Sequence, residues 1–246
     1  MKNLAIITAR MTSSRFPGKV MKKIQKKPTI KILYDRLKKS NLIDKIVVAT
    51  TKCKTDDILV KYLIKKKIKF YRGSKENVVE RIIKTATFFH AKNIILITGD
   101  CPLIDFNIVD QCIRTFRYNK VDFVTNSNIR SFPDGMDAQV FKKSTLIKFY
   151  KKKSKNIKEF EHVTLSMRKN IQKDKILNII APSDQYFPKI GLTLDDYRDF
   201  KLISKIVKYF WGKNIKYFSF KEILDYLFKN KSLLQINKNV KRKGDN

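Results

Sequence analysis

Histidine, glycine, proline and cysteine are all scarce in this chain: 2 His, 7 Gly, 6 Pro and 3 Cys in 246 residues. No Cys/His group has zinc-finger spacing, so a structural zinc site has no ligand set to draw on. Cys53, Cys101 and Cys112 form no CxxC pair, and an odd number cannot all be joined in disulfides. That usage predicts a reducing, cytoplasmic setting. No Walker A, GxGxxG or GxSxG sequence occurs, which argues against P-loop ATPase, dinucleotide-dependent dehydrogenase and serine hydrolase chemistry. No apolar run approaches the roughly 20 residues that cross a bilayer, so no membrane insertion is expected. The opening MKNLAIITAR is short for a signal-peptide core, and Arg10 interrupts it.

Acidic residues are few as well. Asp and Glu number 22 against 55 Lys and Arg, a formal net charge of +33. Such a field attracts polyanions at low salt. The excess is mostly lysine, scattered along the whole chain beside abundant Ile and Asn. An AT-rich genome yields that pattern as readily as selection for a basic patch does. The aromatics fall mostly at helix-core spacing, so a specific nucleic-acid reader, with a localised basic face and stacking aromatics, is not the expected class.

What is present is a rhythm. Leu4–Ile7 reads as a buried strand, followed by a loop and a helical segment from Thr29 to Lys39 with Ile30, Leu33, Tyr34 and Leu37 on one face. KIVVAT, IKFYRG and NIILITGD read as further strands, each followed by an amphipathic helix. Asp56 and Asp57 suit the positive start of the second helix, and Asp105 is placed to cap the fourth. Strands alternating with helices imply right-handed crossovers and a largely parallel sheet. After Val121 the order changes: DFVTN and DAQVF flank a Pro-Asp-Gly turn, so a mixed portion is expected. STLIKFYKKK and FEHVTLSMRKN read as helices, KILNIIAP as a strand, and two helices close the chain. The expected architecture is α/β, a three-layer α/β/α arrangement around a mostly parallel, mixed sheet. It forms one domain over residues 1–235, with a charged tail over 236–246 that has no evident core role.

Open parallel sheets bind ligands outside the carboxyl ends of their strands. Arg10, Arg15 and Lys19 follow the first strand, on a loop turned by Ser13, Ser14, Pro17 and Gly18. Arg72, Gly73 and Ser74 follow the third, and Asp100 follows the fourth. Fixed cations on one loop and a carboxylate on another are what phosphoryl and nucleotidyl transfer require: charge to offset phosphate oxygens, and a carboxylate to hold Mg²⁺. Asp195, after the apolar stretch of LTLDD, is the second metal candidate, although it or Asp196 also suits a helix cap. His90 ends a helical segment and reads as a residue interacting with the helix dipole.

TARMTSSRFPGKVMKKI resembles the ARxxSxRxPGKxL loop that opens the CMP-sugar synthetases, the cytidylyltransferases that activate Kdo, sialic and legionaminic acids. The likeness is greater to the branch named for spore coat polysaccharide biosynthesis protein F. IDKIVVATT followed by DD, YRGSKENVVERI, ITGDCPLID, FPDGMDAQVF, EFEHVTLSMR and LTLDDYRDF resemble its further segments, from residue 2 to about 205. The resemblance implies a nucleotide-diphospho-sugar transferase fold and CTP held by Arg10, Arg15 and Lys19, with Ala9 beside them. It implies Mg²⁺ on Asp100 and Asp195, base or substrate contacts from Arg72, Gly73 and Ser74, and a sugar side formed by Asp137, Gln139, Glu161 and His162. Gln139 stands where the family has Glu, Gly191 where it often has Arg, and Asn77 where Asp is usual.

The implied reaction is attack of a sugar-acid hydroxyl on the α-phosphorus of CTP, releasing pyrophosphate. CTP and an acidic sugar are then the partners, and related synthetases imply a homodimer. Two alternatives stay open: a nucleotide-sugar-dependent glycosyltransferase of the same fold, and a basic nucleic-acid-binding protein.

Overall fold

The computed structural model describes residues 2–151 and 163–241. Glu161 and His162 lie outside them. Seven strands among the described residues form one sheet. They are β1 (Asn3–Thr8), β4 (Lys45–Thr51), β5 (Phe70–Gly73), β6 (Asn93–Thr98), β7 (Phe123–Thr125), β8 (Gln139–Lys142) and β9 (Ile176–Asn178), in the order β5-β4-β1-β6-β8-β7-β9. A separate hairpin joins β2 (Lys23–Ile24) to β3 (Lys27–Pro28). The helices are α1 (Thr29–Leu37), α2 (Asp57–Lys65), α3 (Val78–Phe88), α4 (Phe106–Tyr118), α5 (Lys143–Lys151), α6 (Leu165–Asn170), α7 (Tyr197–Gly212) and α8 (Phe220–Lys229).

The first four long strands are parallel. Ile6 of β1 registers with Val47 of β4 on one side and Leu96 of β6 on the other. The mixed portion expected after Val121 is present: β8 runs antiparallel to both β6 and β7, while β9 is parallel to β7. A central parallel strand is covered on both faces, so it reads as an unbroken apolar run rather than an alternation. In β1, Leu4 and Ile6 enter one core with Val79 and Ile82 of α3, whereas Ala5 and Ile7 enter the other with Leu33 of α1 and Leu59 of α2. All four β1 side chains are fully buried, and each large one contributes about 1.5–3 kcal/mol by leaving water.

Asp105 caps α4 as expected, accepting from Asn107 N–H at 2.8 Å. Asn77 caps α3 by accepting from Glu80 N–H at 2.9 Å, so the residue that departs from the family pattern has a local job. The apolar stretch of LTLDD is no strand: the chain there is irregular, with a single parallel bridge between Asp134 and Gly191 just before it. The described part of the charged tail, residues 236–241, lies against the domain. Asn237 and Val240 are buried, and the chain from Ile236 to Lys241 packs back onto the domain. No helix among the described residues is long and apolar enough to cross a membrane.

Candidate active site

The chain leaves β1, builds outward through β4 and β5, and returns to place β6 on the other side of β1. The reversal opens a crevice beyond the ends of β1 and β6, where such sheets bind ligands. Gly99 makes the close approach possible: its N–H donates to Thr8 O at 2.8 Å, and a Cβ there would lie 2.7 Å from that same oxygen. Asp100 is thereby held beside the loop that follows β1. That loop closes on itself, with Gly18 N–H donating to Met11 O at 2.8 Å and Gly18 in the left-handed region at φ 69°. Asp56, buried in the turn that leads from β4 into α2, anchors its start by accepting from Met11 N–H at 2.7 Å. The same carboxylate accepts from Thr50 Oγ1, Thr51 Oγ1 and Thr51 N–H, tying the loop to the β4 terminus.

The segment carrying Asp195 is docked from the opposite side. Leu192 N–H donates to Asp134 O and Leu194 N–H to Asp100 O, both at 2.7 Å. Gly135 lets the Pro-Asp-Gly turn press onto this segment. Its φ is 108°, and a Cβ would stand 2.4 Å from the Leu192 carbonyl carbon. The result is a cleft of about 380 Å³ whose wall includes Ala9, Arg10, Arg15, Lys19, Asp100, Asp137 and Asp195.

Inside the cleft, Lys19 Nζ donates to Asp100 Oδ2 at 2.7 Å and to Asp195 Oδ1 at 3.0 Å. Arg15 meets the other Asp195 oxygen at 2.9 Å. Burial works to lower the Lys19 pKa, but the two carboxylates outweigh it and hold the ammonium above its ordinary value. Burial likewise works to raise Asp100, and Lys19 overcomes it, leaving the carboxyl below its usual range. A second cluster sits on the same wall. Arg130 grips Asp137 with both terminal nitrogens at 3.2 Å and lies 3.8 Å from Asp134. Asp137 is pushed up by burial, which Arg130 only partly offsets. Arg81 is lowered to about 10 by burial and by the nearby charge of Arg10.

The cytidylyltransferase family model matches residues 4–223. An uncharacterized protein of Methanocaldococcus jannaschii is 33% identical over 244 residues, covering 99% of this chain and 98% of its own length. The spore coat polysaccharide biosynthesis protein SpsF of Bacillus subtilis is 31% identical over 207 residues, 82% of this chain and 85% of that protein. A 3-deoxy-manno-octulosonate cytidylyltransferase of Geobacter metallireducens is 33% identical over 116 residues, 46% of this chain and 44% of that one. Among solved structures, a cytidylyltransferase from Leptospira borgpetersenii superimposes with a TM-score of 0.89 at 30% identity, covering 99% of both chains. The chain belongs to the cytidylyltransferase family. It is an enzyme of that class, with the mostly parallel α/β sheet of its structural neighbours.

In this cytidylyltransferase the cationic loop, Asp100 beyond the end of β6, and Asp195 on the irregular segment before α7 share one cleft, and Ala9 and Asp137 join them. Arg72, Gly73 and Ser74 are placed differently, one layer behind the wall. Arg72 Nε donates to Thr51 O at 2.9 Å, its Nη2 donates to Cys53 O at 3.0 Å, and it pairs with Asp57 at 2.7 Å. Gly73 gives room to Arg81, whose Cγ would lie 2.8 Å from a Cβ at that position. The Ser74 carbonyl accepts from Arg81 Nη1 at 2.5 Å. Gly73 and Ser74 together aim Arg81, which does line the cleft. Gln139 opens β8 with its Oε1 buried and without a hydrogen-bond partner among the described residues. Glu161 and His162 fall outside the described residues.

The sequence alone does not single out Arg81, Arg130 or Asp134, and it offers Asp56 only as an acid at a helix start. Arg81 is the closing arginine of YRGSKENVVERI, and Asp134 belongs to the Pro-Asp-Gly turn, so both sat within segments already noted. Arg130 had no such marker among so many basic residues.

Proposed function

We propose that this cytidylyltransferase transfers CMP from CTP to a hydroxyl of an acidic sugar of the nonulosonic or octulosonic type, releasing pyrophosphate. The observation that carries this reading is the Lys19 ammonium held between Asp100 and Asp195 beside Arg15 in one cleft. Two carboxylates converging on one cationic point form an all-oxygen donor pair, which suits Mg²⁺ bound through one or two carboxylates plus substrate phosphates. Among the described residues no third His, Cys, Asp or Glu joins them, leaving the remaining positions to phosphate and water. Asp100 and Asp195 are therefore the residues to hold the metal. When bound, Mg²⁺ supplies positive charge to the phosphate oxygens.

Arg10, Arg15 and Lys19 bind the triphosphate and offset the charge that moves onto the departing pyrophosphate. A bond forms between the sugar oxygen and the α-phosphorus while the bond to the β-phosphate oxygen breaks, with no covalent enzyme intermediate. The hydroxyl proton passes to a base, and Asp137, raised by burial, is the carboxylate in the wall suited to accept it. Arg130 already presents its fork to a carboxylate, a geometry that suits the carboxylate of a sugar acid. The octulosonate cytidylyltransferase relative supports the acidic sugar, and the spore coat relative supports a role in surface polysaccharide synthesis. The reading places the enzyme in the cytoplasm as a homodimer, which light scattering on the purified protein tests.

The decisive assay is pyrophosphate release across the four nucleoside triphosphates and a panel of nonulosonic and octulosonic acids, with and without Mg²⁺. The expected result is release that needs CTP, Mg²⁺ and one class of acidic sugar. Transfer from a preformed nucleotide sugar, with no pyrophosphate from CTP, would overturn it in favour of glycosyl transfer.

A further inference from the structure

Beyond the cleft itself, two separate paths run from the carboxy-terminal segment to Asp195. The first goes through the main chain. Asn237 is 6% exposed, and its side-chain amide donates both hydrogens, to Gly191 O at 2.9 Å and to Asp199 Oδ1 at 2.7 Å. Asp199, fully buried, turns its other oxygen to the N–H groups of Asp195 and Asp196 at 3.0 and 2.9 Å. One amide thus clamps both ends of the five-residue stretch from Gly191 to Asp195. The second path goes through side chains. Lys241 O accepts from Arg15 Nη1 at 2.7 Å, and Arg15 Nη2 meets Asp195 Oδ2 at 2.9 Å. Val240, buried and bonded back to Asn237 O at 3.1 Å, holds the two contact points at a fixed spacing.

We propose that Asn237 is a positioning residue for Asp195, and that the segment from Asn237 to Lys241 is a working part of the nucleotidyl-transfer site rather than a trailing end. This rests on the reading of Asp195 as a metal-holding carboxylate. The physical reason is orientational. A carboxylate such as Asp199 accepts in several directions, and it fixes the Asp195 backbone only while its other oxygen is held. The Asn237 amide supplies that hold and, with its second hydrogen, stops the Gly191 end of the stretch from sliding along the Pro-Asp-Gly turn. Groups behind a metal ligand set its aim, and removing them weakens metal binding by about 10- to 100-fold in well-studied sites.

The test needs no sugar. Mg²⁺ is titrated into the full-length protein with CTP and followed by calorimetry, and CTP binding is measured separately in EDTA. Asn237→Ala is expected to raise the half-saturating Mg²⁺ roughly 10-fold while CTP binding in EDTA stays at the wild-type value. Asn237→Asp, which sets a carboxylate against Asp199, shifts it at least as far. Should either variant fold poorly, Asn237→Ser keeps a short donor and shows a smaller shift in the same direction. A merely structural role lowers the melting temperature and the active fraction but leaves the half-saturating Mg²⁺ in place, and that result overturns the inference. Asp195→Asn is the control. If it raises the half-saturating Mg²⁺ and the Asn237 variants do not, the inference alone fails. If Asp195→Asn itself leaves Mg²⁺ dependence unchanged, the underlying reading of Asp195 falls and takes the inference with it.

Discussion

Lys19 Nζ lies 2.7 Å from Asp100 Oδ2, joining the loop after β1 to the loop after β6 across 81 positions of sequence. Both groups are largely withdrawn from water, and each holds the other in its charged form. The sign of the pH dependence follows. Lys19 is raised in the folded protein, so its contribution is whole below the unfolded lysine value and is lost as pH climbs through the folded one. Asp100 is lowered, so its contribution is whole above the unfolded aspartate value and is lost as pH falls through the folded one. The stabilisation is therefore complete between about pH 4 and about pH 10. In metal-free protein, the melting-temperature gap between wild type and Lys19→Met is expected to be whole on the alkaline side of neutral and to narrow as pH rises past the lysine range. It is also expected to narrow on the acid side from above the ordinary aspartate range, because Asp100 without Lys19 is left to the burial that raises it. A gap that stays constant through both the aspartate and the lysine ranges would show that the pair is not coupled in this way.

Asp100→Asn removes one of the two carboxylates proposed to hold Mg²⁺ but keeps the shape of the side chain. The Asp100 carbonyl, which docks Leu194, is untouched. Turnover is expected to fall by about 100-fold or more, a typical loss for a group that stabilises transition-state charge, while the melting curve stays cooperative. Near-normal pyrophosphate release in this variant would remove Asp100 from the metal site.

Asp56→Ala tests the anchor beneath the cationic loop. Its carboxylate serves Met11 N–H and the β4 terminus at once. Deleting it leaves buried donors without that acceptor, a loss of about 1–3 kcal/mol for such groups. A lowered melting temperature and a weaker affinity for CTP are expected together, because the loop that carries Arg10, Arg15 and Lys19 loses its fixed start. Loss of stability with unchanged CTP affinity, measured by calorimetry on the folded fraction, would separate the anchor from the site.

How far the sequence foretold this arrangement depends on where each residue's partners lie. The βαβ rhythm was legible because β1, β4 and β6 are buried on both faces and must be apolar throughout. The first loop was legible because a turn rich in fixed cations has little reason to follow a buried strand unless it meets an anion. Asp56 reads as an ordinary acid at a helix start, since the N–H it serves at Met11 is 45 residues away. The β2–β3 hairpin carries no turn signal, because Gln25 and Lys26, not Gly or Asn, take the positive φ angles of 43° and 68°. Asn237 and Val240 sit in a run of charged residues, and only the distant partners at Gly191 and Asp199 reveal their burial. Local patterns show which face is apolar; they do not show which polar group is waiting across the fold.

Gly99→Ala addresses the approach of β6 to β1. A methyl group there would stand 2.7 Å from Thr8 O and 3.2 Å from Ala9 Cβ, with backbone on one side and a buried side chain on the other. Neither can swing away, so the ends of the two central strands must part. Overpacking of this kind costs about 1–3 kcal/mol, and the displaced Asp100 is expected to lower CTP-dependent turnover further than the lost stability explains. Crystallography of the variant, or its melting temperature alongside turnover at low temperature, checks both effects. A fully stable and fully active Gly99→Ala protein would show that the strand ends have slack.

Arg72 and Arg81 are neighbours in the same motif, and the structure gives them opposite duties. Arg72 spends its fork on Thr51 O, Cys53 O and Asp57, whereas Arg81 reaches the cleft wall. A lysine ammonium cannot span three separate acceptors as a planar guanidinium does. Arg72→Lys is therefore expected to lower the melting temperature, by the equivalent of about 1–3 kcal/mol, and to leave CTP affinity near wild type in the folded protein. Arg81→Lys is expected to weaken CTP binding as well, because its charge faces the site. Calorimetric titration of both variants with CTP, paired with thermal melts, reads the two effects apart. If Arg72→Lys loses CTP affinity while keeping its melting temperature, then Arg72 leaves its backbone acceptors to touch the nucleotide.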